Sequence, residues 1–545
     1  MPITEFLERN AREHPDDVAL VEVNPEHAER GESWREFSLV EPSAERIAYR
    51  REITWIDFDL RANRFANLLL ANGIGRGDKV AILLMNCLEW LPIYFGVLKA
   101  GALAVPLNYR YTAEEIRYCL DLSDASLLVF GPEFRERVET IKDNIPKVKK
   151  LFYVGATCPC YAQNYFQFIS YCSSRNPGIA LTDDDDAAIY FSSGTTGFPK
   201  AILHRHRSLT HAALCEQAHH SQTRDDCFLC MPPLYHTGAK MHWFGSLVSC
   251  SPAILLRGVS PKWILETVSR EHVTIVWLLV PWAQDLLDAI DRGDVSLDDY
   301  QLDQWRLMHI GAQPVPPSLI KRWMEKFPHH QYDTNYGLSE SIGPGCVHLG
   351  VENIDKVGAI GKAGFGWKTR IIDEHGNDVV PGEVGELAVS GPGVMTCYYH
   401  DEAATNDVLH GEWLYTGDMA RQDEDGFIYL VDRKKDVIIT GGENLYPVQI
   451  EDFLRSCEWV KDVAVIGRAH HRLGEIASAI VELKPGATCT EQDIMDFCSA
   501  LPRYKRPREI IFDVVPRNPT GKIEKPKLRE KYGAVELVAQ QIEAE

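Results

Sequence analysis

The most informative residues form a short loop that combines hydroxyl groups, glycines and one lysine. An apolar run at 187–191, typical of a short buried strand, leads directly into this loop. Hydroxyls, small residues and one ammonium group together can wrap a polyphosphate. The loop is not a Walker A motif, because Gly194 and Gly197 are too close together and Pro199 precedes Lys200. Its residues are Ser192, Ser193, Gly194, Thr195, Thr196, Gly197 and Lys200.

Three further segments carry groups that suit a nucleotide and its metal ion. Glu340, in the sequence YGLSE, is a hard oxygen ligand of the kind that Mg²⁺ prefers. Asp418, in LYTGD, has two oxygens that can accept hydrogen bonds from the paired hydroxyls of a ribose. Lys522, in NPTGKIEK, follows a Pro-Thr-Gly turn that can carry its ammonium group to a separate site. Each segment alone is typical of an ordinary turn, so the inference depends on their combination.

Taken in this order and at these separations, the segments resemble those of the adenylate-forming superfamily, in its acyl-CoA synthetase branch. The resemblance begins with residues 75–108 and continues to about Lys527, so it covers most of the chain. It implies an ATP-dependent acid–thiol ligase that uses Mg²⁺ and coenzyme A. In such enzymes the carboxylic acid first forms a mixed anhydride with AMP, because a free carboxylate has only oxide as a leaving group. The acyl group then passes to the thiol.

Length and pattern predict an α/β protein with more than one domain. The chain has 545 residues, which exceeds what one hydrophobic core usually supports. Strand patterns alternate with helical ones, and apolar spacings of four, three and four from Phe58 predict an amphipathic helix that ends near Gly73. We expect a large N-terminal α/β domain of several subdomains at 1–432, which binds AMP and the acyl substrate. A small mobile C-terminal α/β domain at 433–545 is expected to carry the catalytic lysine.

The resemblance assigns the triphosphate to the hydroxyl-rich loop, with Thr195 and Lys200 in catalytic roles. Glu340 is expected to bind Mg²⁺. Ser339 stands where threonine is commoner in the family, and its hydroxyl can still bond a phosphate. Lys522 is expected to contact the substrate carboxylate and the region of the α-phosphate, which makes it the main catalytic residue of the C-terminal domain.

Other positions match the nucleotide pocket and the second half-reaction. Lys435 matches the position about which relatives rotate their C-terminal domain, although Asp432 stands where many acyl-CoA synthetases have glycine. His236, together with Tyr235, matches the wall of the acyl pocket. The adenine pocket and its border are assigned to Gly311, Ala312, Gln313, Asp333, Thr334, Asn335, Tyr336 and Gly337, the ribose clamp to Asp418 and Arg433, and the pantetheine tunnel to Gly441 and Gly442.

Two features depart from the family pattern. Residues 24–50 are rich in charged and turn-forming residues, where relatives connect two strands more directly. This segment is either an ordered surface excursion or an oligomer contact. Lys240 and His309 are polar for neighbours of an acyl pocket, and we expect both side chains to face outward.

Charge and hydropathy argue against several classes of partner. A formal net charge of −21 and a pI near 5.4 disfavour nucleic acid and anionic membranes, so ATP must be met by local cations. The apolar run at 273–283 is about half as long as a membrane span and contains Pro281. We expect a cytoplasmic enzyme, and the sequence leaves a homodimer open. The fourteen cysteines lack the spacing of a zinc site and indicate core packing rather than a disulfide framework.

Three functions account for these residues to different degrees. The first is an AMP-forming acid:CoA ligase. The second is a stand-alone adenylating enzyme that loads a carrier protein, which the GGEN segment and the lack of an attached carrier domain disfavour. The third is an inactive scaffold, which would need none of the charged residues named above. The sequence does not say whether the acid is fatty, aromatic or alicyclic.

Overall fold

The computed structural model describes residues 1–25, 48–192, 199–311, 315–440, 443–470, 472–517 and 523–533. The helices among them are α1 Thr4–Glu13, α2 Trp55–Ala71, α3 Trp90–Lys99, α4 Ala113–Leu122, α5 Arg135–Ile141, α6 Tyr165–Ser170, α7 His206–His219, α8 Thr237–Ser249, α9 Pro261–Arg270, α10 Val280–Arg292, α11 Pro317–Lys326, α12 Glu402–Val408, α13 Pro447–Arg455, α14 Glu491–Phe497 and α15 Lys525–Tyr532.

The strands alternate with these helices along much of the chain, which confirms the predicted α/β class. They are β1 Val18–Val23, β2 Arg50–Thr54, β3 Lys79–Leu83, β4 Leu103–Pro106, β5 Ala125–Phe130, β6 Lys150–Tyr153, β7 Gln163–Asn164, β8 Asp186–Ser192, β9 Lys200–Arg205, β10 Phe228–Cys230, β11 Ala253–Leu256, β12 Ile275–Leu279, β13 Leu307–Gly311, β14 Gln331–Asp333, β15 Asn335–Leu338, β16 Gly343–His348, β17 Lys362–Ala363, β18 Lys368–Ile372, β19 Gly385–Ser390, β20 Cys397–Tyr398, β21 Leu409–His410, β22 Trp413–Gln422, β23 Ile428–Arg433, β24 Ile438–Thr440, β25 Glu443–Leu445, β26 Val460–His470, β27 Gly474–Leu483 and β28 Glu509–Phe512.

The chain divides into two compact units. The first contains Met1–Thr369 and Val389–Leu414, and the second contains Arg370–Ala388 and Tyr415–Glu545. The domain boundary predicted after residue 432 stays a prediction.

Two large sheets, both mainly parallel, form the framework of the first unit. One has the strand order β14-β13-β12-β10-β11-β1-β2, in which β2 runs antiparallel to β1. The other has the order β20-β9-β8-β4-β3-β5-β6-β7, in which β9 and β20 run antiparallel to their neighbours. In open α/β sheets, ligands bind beyond the carboxyl ends of the parallel strands. A ligand site is therefore expected at the carboxyl ends of β8, β13 and β14.

The charged segment at 24–50 connects two neighbouring strands of the first sheet. β1 and β2 are antiparallel, and Val23 lies opposite Arg50 where the connection leaves and re-enters the sheet. Most of the segment itself lies outside the described residues.

The predicted amphipathic helix is α2. It begins after Thr54, whose hydroxyl accepts a hydrogen bond from Asp57 N, and it ends at Asn72, with Gly73 next in the left-handed region at φ 73°. The apolar residues that predicted it are fully buried, and they are Phe58, Ala62, Phe65 and Leu69. This face packs against α3.

The second unit contains two smaller sheets. In one, β18, β19, β22 and β23 are neighbours in that order, and β23 is antiparallel to β22. In the other, the order is β25-β24-β27-β26, with β28 parallel to β27. Apolar residues of α13, α14, β26 and β27 form its buried core.

Across both units, no described helix is long and apolar enough to span a bilayer.

We expect Gly96→Ala to destabilise the first unit, because α2 and α3 touch at this position. A Cβ atom at Gly96 would lie 2.8 Å from Ala62 O and 2.9 Å from Phe65 Cβ. Overpacking costs about 1–3 kcal/mol, and the better helix propensity of alanine offsets up to about 1 kcal/mol. The urea midpoint should fall accordingly. Gly75→Ala is the control, since its nearest atoms would be 3.5 Å away, and equal midpoints for the two variants would contradict this account of the packing.

Candidate active site

The hydroxyl-rich loop begins and ends on an antiparallel strand pair. β8 ends at Ser192, β9 begins at Lys200, and these two half-buried residues are paired across the ladder. The pairing brings the first hydroxyl and the lysine of the predicted loop to one edge of the sheet. The loop residues between them that the sequence predicted lie outside the described residues, and they are Ser193, Gly194, Thr195, Thr196 and Gly197.

Glu340 lies beside this strand pair, although it comes 148 positions after Ser192 in the chain. Ser192 Oγ donates a hydrogen bond of 3.4 Å to Glu340 Oε1, and Tyr398 Oη donates one of 2.8 Å to the same oxygen. Among the described residues no hydrogen bond goes to Oε2. The carboxylate is thus positioned through one oxygen and keeps the other for a ligand.

Lys200 is held by an aromatic ring instead of by a carboxylate. Its Nζ lies 4.4 Å from the centroid of the Tyr398 ring, a cation–π contact. Within the described part of the chain it forms no ion pair. Burial, and then the charge of Glu340, raise the pKa of Tyr398, so the phenol keeps the proton that it donates. No carboxylate among the described residues therefore competes with a phosphate for this lysine.

Two hydrogen bonds to backbone carbonyl groups fix the turn that carries Glu340. His204 Nε2 donates to Ser339 O at 2.8 Å, and Met395 N donates to Glu340 O at 2.8 Å. Burial lowers the pKa of His204 to about 4, so the imidazole is neutral at pH 7 and has one proton to donate. Ile342 follows the turn at φ 64°, ψ 33°, a left-handed conformation that β-branched residues rarely adopt. Such strain persists only where the surroundings over-determine it.

The segments assigned to adenine meet at the carboxyl ends of two adjacent parallel strands. β13 ends at Gly311 and β14 ends at Asp333, and β15 with Tyr336 follows at once. Thr334 Oγ1 donates to Ile310 O at 2.7 Å and ties the two strand ends together. Gly337 lies within β15, while Ala312 and Gln313 lie outside the described residues.

Besides Thr334, two of these predicted nucleotide residues have side chains that form hydrogen bonds within the protein. Asp333 is fully buried, and its Oδ1 accepts from Thr334 N at 2.8 Å and from Gly350 N at 3.0 Å. Asn335 Nδ2 donates to Glu216 Oε1 at 3.2 Å. Both side chains hold the strand ends in place, and their direct contact with adenine stays a prediction.

In the second unit, the predicted ribose clamp is a cross-strand pair. Asp418 on β22 lies opposite Arg433 on β23, and Arg433 Nε is 3.2 Å from Asp418 Oδ1. Asp418 is buried and the Arg433 side chain is nearly half exposed. The arginine positions a carboxylate that can accept from two hydroxyl groups.

The remaining residues assigned to the second unit lie near or beyond the described backbone. Lys435 is in a short 3₁₀ turn at Lys434–Asp436, where burial and the charge of Arg433 lower its pKa. Gly441, Gly442 and Lys522 lie outside the described residues. A bridge between Arg517 and Ile523 brings together the chain on either side of residues 518–522.

The two residues assigned to the acyl pocket both contact other parts of the protein. His236 caps α8, with its Nδ1 accepting from Gly238 N at 3.2 Å, and the neighbouring Tyr235 ring packs edge-on against Tyr109.

The expectation that Lys240 and His309 face outward is wrong, since both are fully buried. Lys240 Nζ lies among aromatic faces, and desolvation holds its pKa well below the usual value. Its distances to the ring centroids are 4.1 Å for Tyr190, 4.7 Å for Tyr94 and 5.3 Å for Trp90.

Two residues of the site were not predicted. His204 shares a face of β9 with Lys200, so strand alternation was a signal that could have found it. Tyr398 reaches the site from β20, which pairs with β9 across a long stretch of chain, and no local pattern marks it.

Comparison with known proteins identifies the family of the chain. The sequence profile of the AMP-binding enzyme family matches residues 7–399, and that of the AMP-binding enzyme C-terminal domain matches residues 449–522. The chain is 31% identical over 501 residues to the long-chain-fatty-acid–CoA ligase FadD13 of Mycobacterium tuberculosis, covering 91% of this chain and 95% of that enzyme. It is 32% identical over 485 residues to feruloyl-CoA synthase of Amycolatopsis sp, covering 88% and 94% respectively.

A solved structure shares the whole fold. The o-succinylbenzoate coenzyme A synthetase (MenE) of Bacillus subtilis, in complex with ATP and a magnesium ion, superposes with a TM-score of 0.80 at 25% identity, covering 97% of this chain and 99% of that one. The profile matches, the identities and the shared fold confirm the predicted family. This chain belongs to the AMP-binding enzyme family.

Proposed function

We propose that this protein activates a carboxylic acid with ATP and transfers the acyl group to coenzyme A. One observation carries the proposal: Ser192, Lys200 and Glu340 meet at one edge of a mainly parallel sheet. A hydroxyl, an ammonium group and a carboxylate with one oxygen that accepts no hydrogen bond from the described residues suit a triphosphate and its Mg²⁺. The two relatives named above are CoA ligases, which supports this function over the loading of a carrier protein.

The Glu340 carboxylate fits a magnesium ion, because Oε2 is a hard oxygen donor without a hydrogen-bond partner among the described residues. Mg²⁺, when bound, neutralises charge on the phosphates. Lys200 and Ser192 attract and orient the phosphate groups at the same edge. Together these charges let an anionic acid approach an anionic nucleotide.

The reaction consists of two nucleophilic substitutions, one at phosphorus and one at the acyl carbon. One oxygen of the substrate carboxylate bonds to the α-phosphorus of ATP, and the bond from that phosphorus to pyrophosphate breaks. The thiol sulfur of coenzyme A then bonds to the acyl carbon, AMP leaves with the electron pair, and the thiol proton passes to solvent. We assign Lys522 to the first substitution, since its ammonium group can stabilise the negative charge that develops there.

Pyrophosphate release tests this function and identifies the acid. The purified protein is supplied with MgATP and a panel of fatty, aromatic and alicyclic acids, and each acid that releases pyrophosphate is tested for thioester formation with free coenzyme A and with a carrier protein. We expect release with at least one class of acid and thioester with free coenzyme A. Thioester only on the carrier would favour the alternative, and no release with any acid would contradict the proposal.

We expect Tyr398→Phe to weaken the use of MgATP. The variant loses the 2.8 Å hydrogen bond to Glu340 but keeps a ring beneath Lys200. A hydrogen bond to a charged group contributes about 1.5–3 kcal/mol, so KM for MgATP should rise about tenfold or more. Tyr399→Phe is the matched control, because its hydroxyl bonds Asp124 instead. Equal KM values for the two variants would show that the hydroxyl does not position Glu340.

We expect Lys522→Ala to impair adenylation far more than thioester formation from supplied acyl-AMP. Removal of one preorganised charge costs on the order of 10²–10³ in rate. Lys527→Ala is the control, since this exposed lysine on α15 pairs with Glu524 just before the helix. Equal losses in both half-reactions would mean that Lys522 has another role.

We expect Lys435→Pro to retain adenylation and lose transfer to coenzyme A. Proline holds φ near −65°, which suits the present 3₁₀ turn but prevents the backbone rotation that relatives make there. Lys435→Ala removes the charge and leaves the backbone free, so it should retain both steps. Single-turnover measurements of acyl-AMP formation and consumption, on variants with unchanged Tm, decide the matter. Normal transfer in the proline variant would rule out the hinge role.

A further inference from the structure

A cluster of buried histidines and carboxylates lies in the first unit, behind the strand ends assigned to the nucleotide. None of its members is more than 3% exposed. They come from α7 and its C-terminal cap, from α8, and from β13, β14 and β16. The members are Glu216, His220, His242, His309, Asp333 and His348.

Four of these side chains present donor atoms to a common point. His220 Nε2 is 3.1 Å from His309 Nδ1, and Asp333 Oδ2 is 3.0 Å from His348 Nε2. Asp333 Oδ2 is also 3.7 Å from both His220 Nε2 and His309 Nδ1. Zinc–nitrogen and zinc–oxygen bonds of about 2.1 Å in a tetrahedron place the ligand atoms about 3.4 Å apart. The observed separations lie on either side of that value.

Several of the converging atoms have no hydrogen bond. Asp333 Oδ2 and His348 Nε2 lack a hydrogen-bond partner among the described residues, although they are close to each other, and so does Glu216 Oε2. Buried polar atoms in native proteins are nearly always paired with protein, water or an ion. Polar atoms that converge from different elements, with only each other as neighbours, can share a metal ion at their centre.

Metal binding would remove one hydrogen bond at the edge of the cluster. Gly350 N donates to His348 Nδ1 at 3.2 Å, and this hydrogen bond is lost if Nε2 binds a metal, because Nδ1 then carries the proton. Gly350 N keeps its shorter bond to Asp333 Oδ1, so only the longer contact is given up. His242 Nδ1 donates to Gly238 O at 2.7 Å, which leaves the Nε2 lone pair facing Glu216 at the edge of the cluster.

We propose that His220, His309, His348 and Asp333 bind one divalent transition-metal ion, and that Zn²⁺ fits best. Three imidazoles exclude Mg²⁺ and Ca²⁺ as preferred ions, because both take oxygen ligands. Four protein ligands in a fully buried position make a closed site, which is typical of a structural ion. The ion links β13, β14 and β16 behind the predicted nucleotide segments. The proposal does not depend on the ligase activity, and its test does not use that activity.

Metal content tests the proposal directly. Untagged protein, expressed with zinc in the medium and dialysed, is measured by inductively coupled plasma mass spectrometry. We expect about one zinc per chain in the unmodified protein, and loss of most of it in His220→Ala. His330→Ala is the matched control, because His330 is also buried but packs among the rings of Trp305 and Phe327. Equal zinc loss in both variants would overturn the assignment.

Measurements on the unmodified protein keep the test valid if His220→Ala does not fold. We expect a strong chelator to lower the Tm, and Co²⁺ added to the stripped protein to give the visible absorption of a tetrahedral ion. X-ray absorption at the zinc edge should show nitrogen and oxygen ligands without sulfur. Protein that is isolated without metal and takes up neither Zn²⁺ nor Co²⁺ would overturn the proposal, and so would zinc bound by sulfur.

Discussion

The organisation of the candidate site depends on how the Glu340 carboxylate is held. It is bound by two hydroxyl donors, so its position is fixed, and no cation among the described residues forms an ion pair with it. Lys200 lies nearby, but its ammonium group rests on the ring of Tyr398. An ion pair between the lysine and the glutamate would cancel both charges. Separate support leaves one charge for a cation and the other for a phosphate.

This separation requires elements from distant parts of the chain. Ser192 and Lys200 come from a strand pair, Glu340 from a short turn, and Tyr398 from a two-residue strand that pairs with β9. The turn with Glu340 is fixed by a hydrogen bond from His204, and burial keeps the imidazole of His204 neutral. The hydrophobic core therefore acts on the chemistry indirectly, because it determines which side chains keep or lose a proton.

Much of this could be predicted from sequence where the information is local. The class of fold and α2 follow from periodicity, residue type singled out Ser192, Lys200, Glu340 and Asp418, and the family resemblance added Arg433. Tyr398 could not be found in this way, because its role arises from pairing between strands far apart in the chain.

The wrong orientation of Lys240 has a different physical origin. Sequence reasoning assumes that a lysine reaches water, yet three aromatic faces surround this ammonium group and desolvation favours its neutral form. The same holds for His309, which lies among other buried imidazoles.

The fold places little constraint on the length of the connection between β1 and β2, since Val23 and Arg50 are already paired where this connection starts and ends. Closing a chain segment costs only about 0.6 kcal/mol more per doubling of its length, so this edge of the sheet can gain or lose residues in evolution while the catalytic framework is inherited intact.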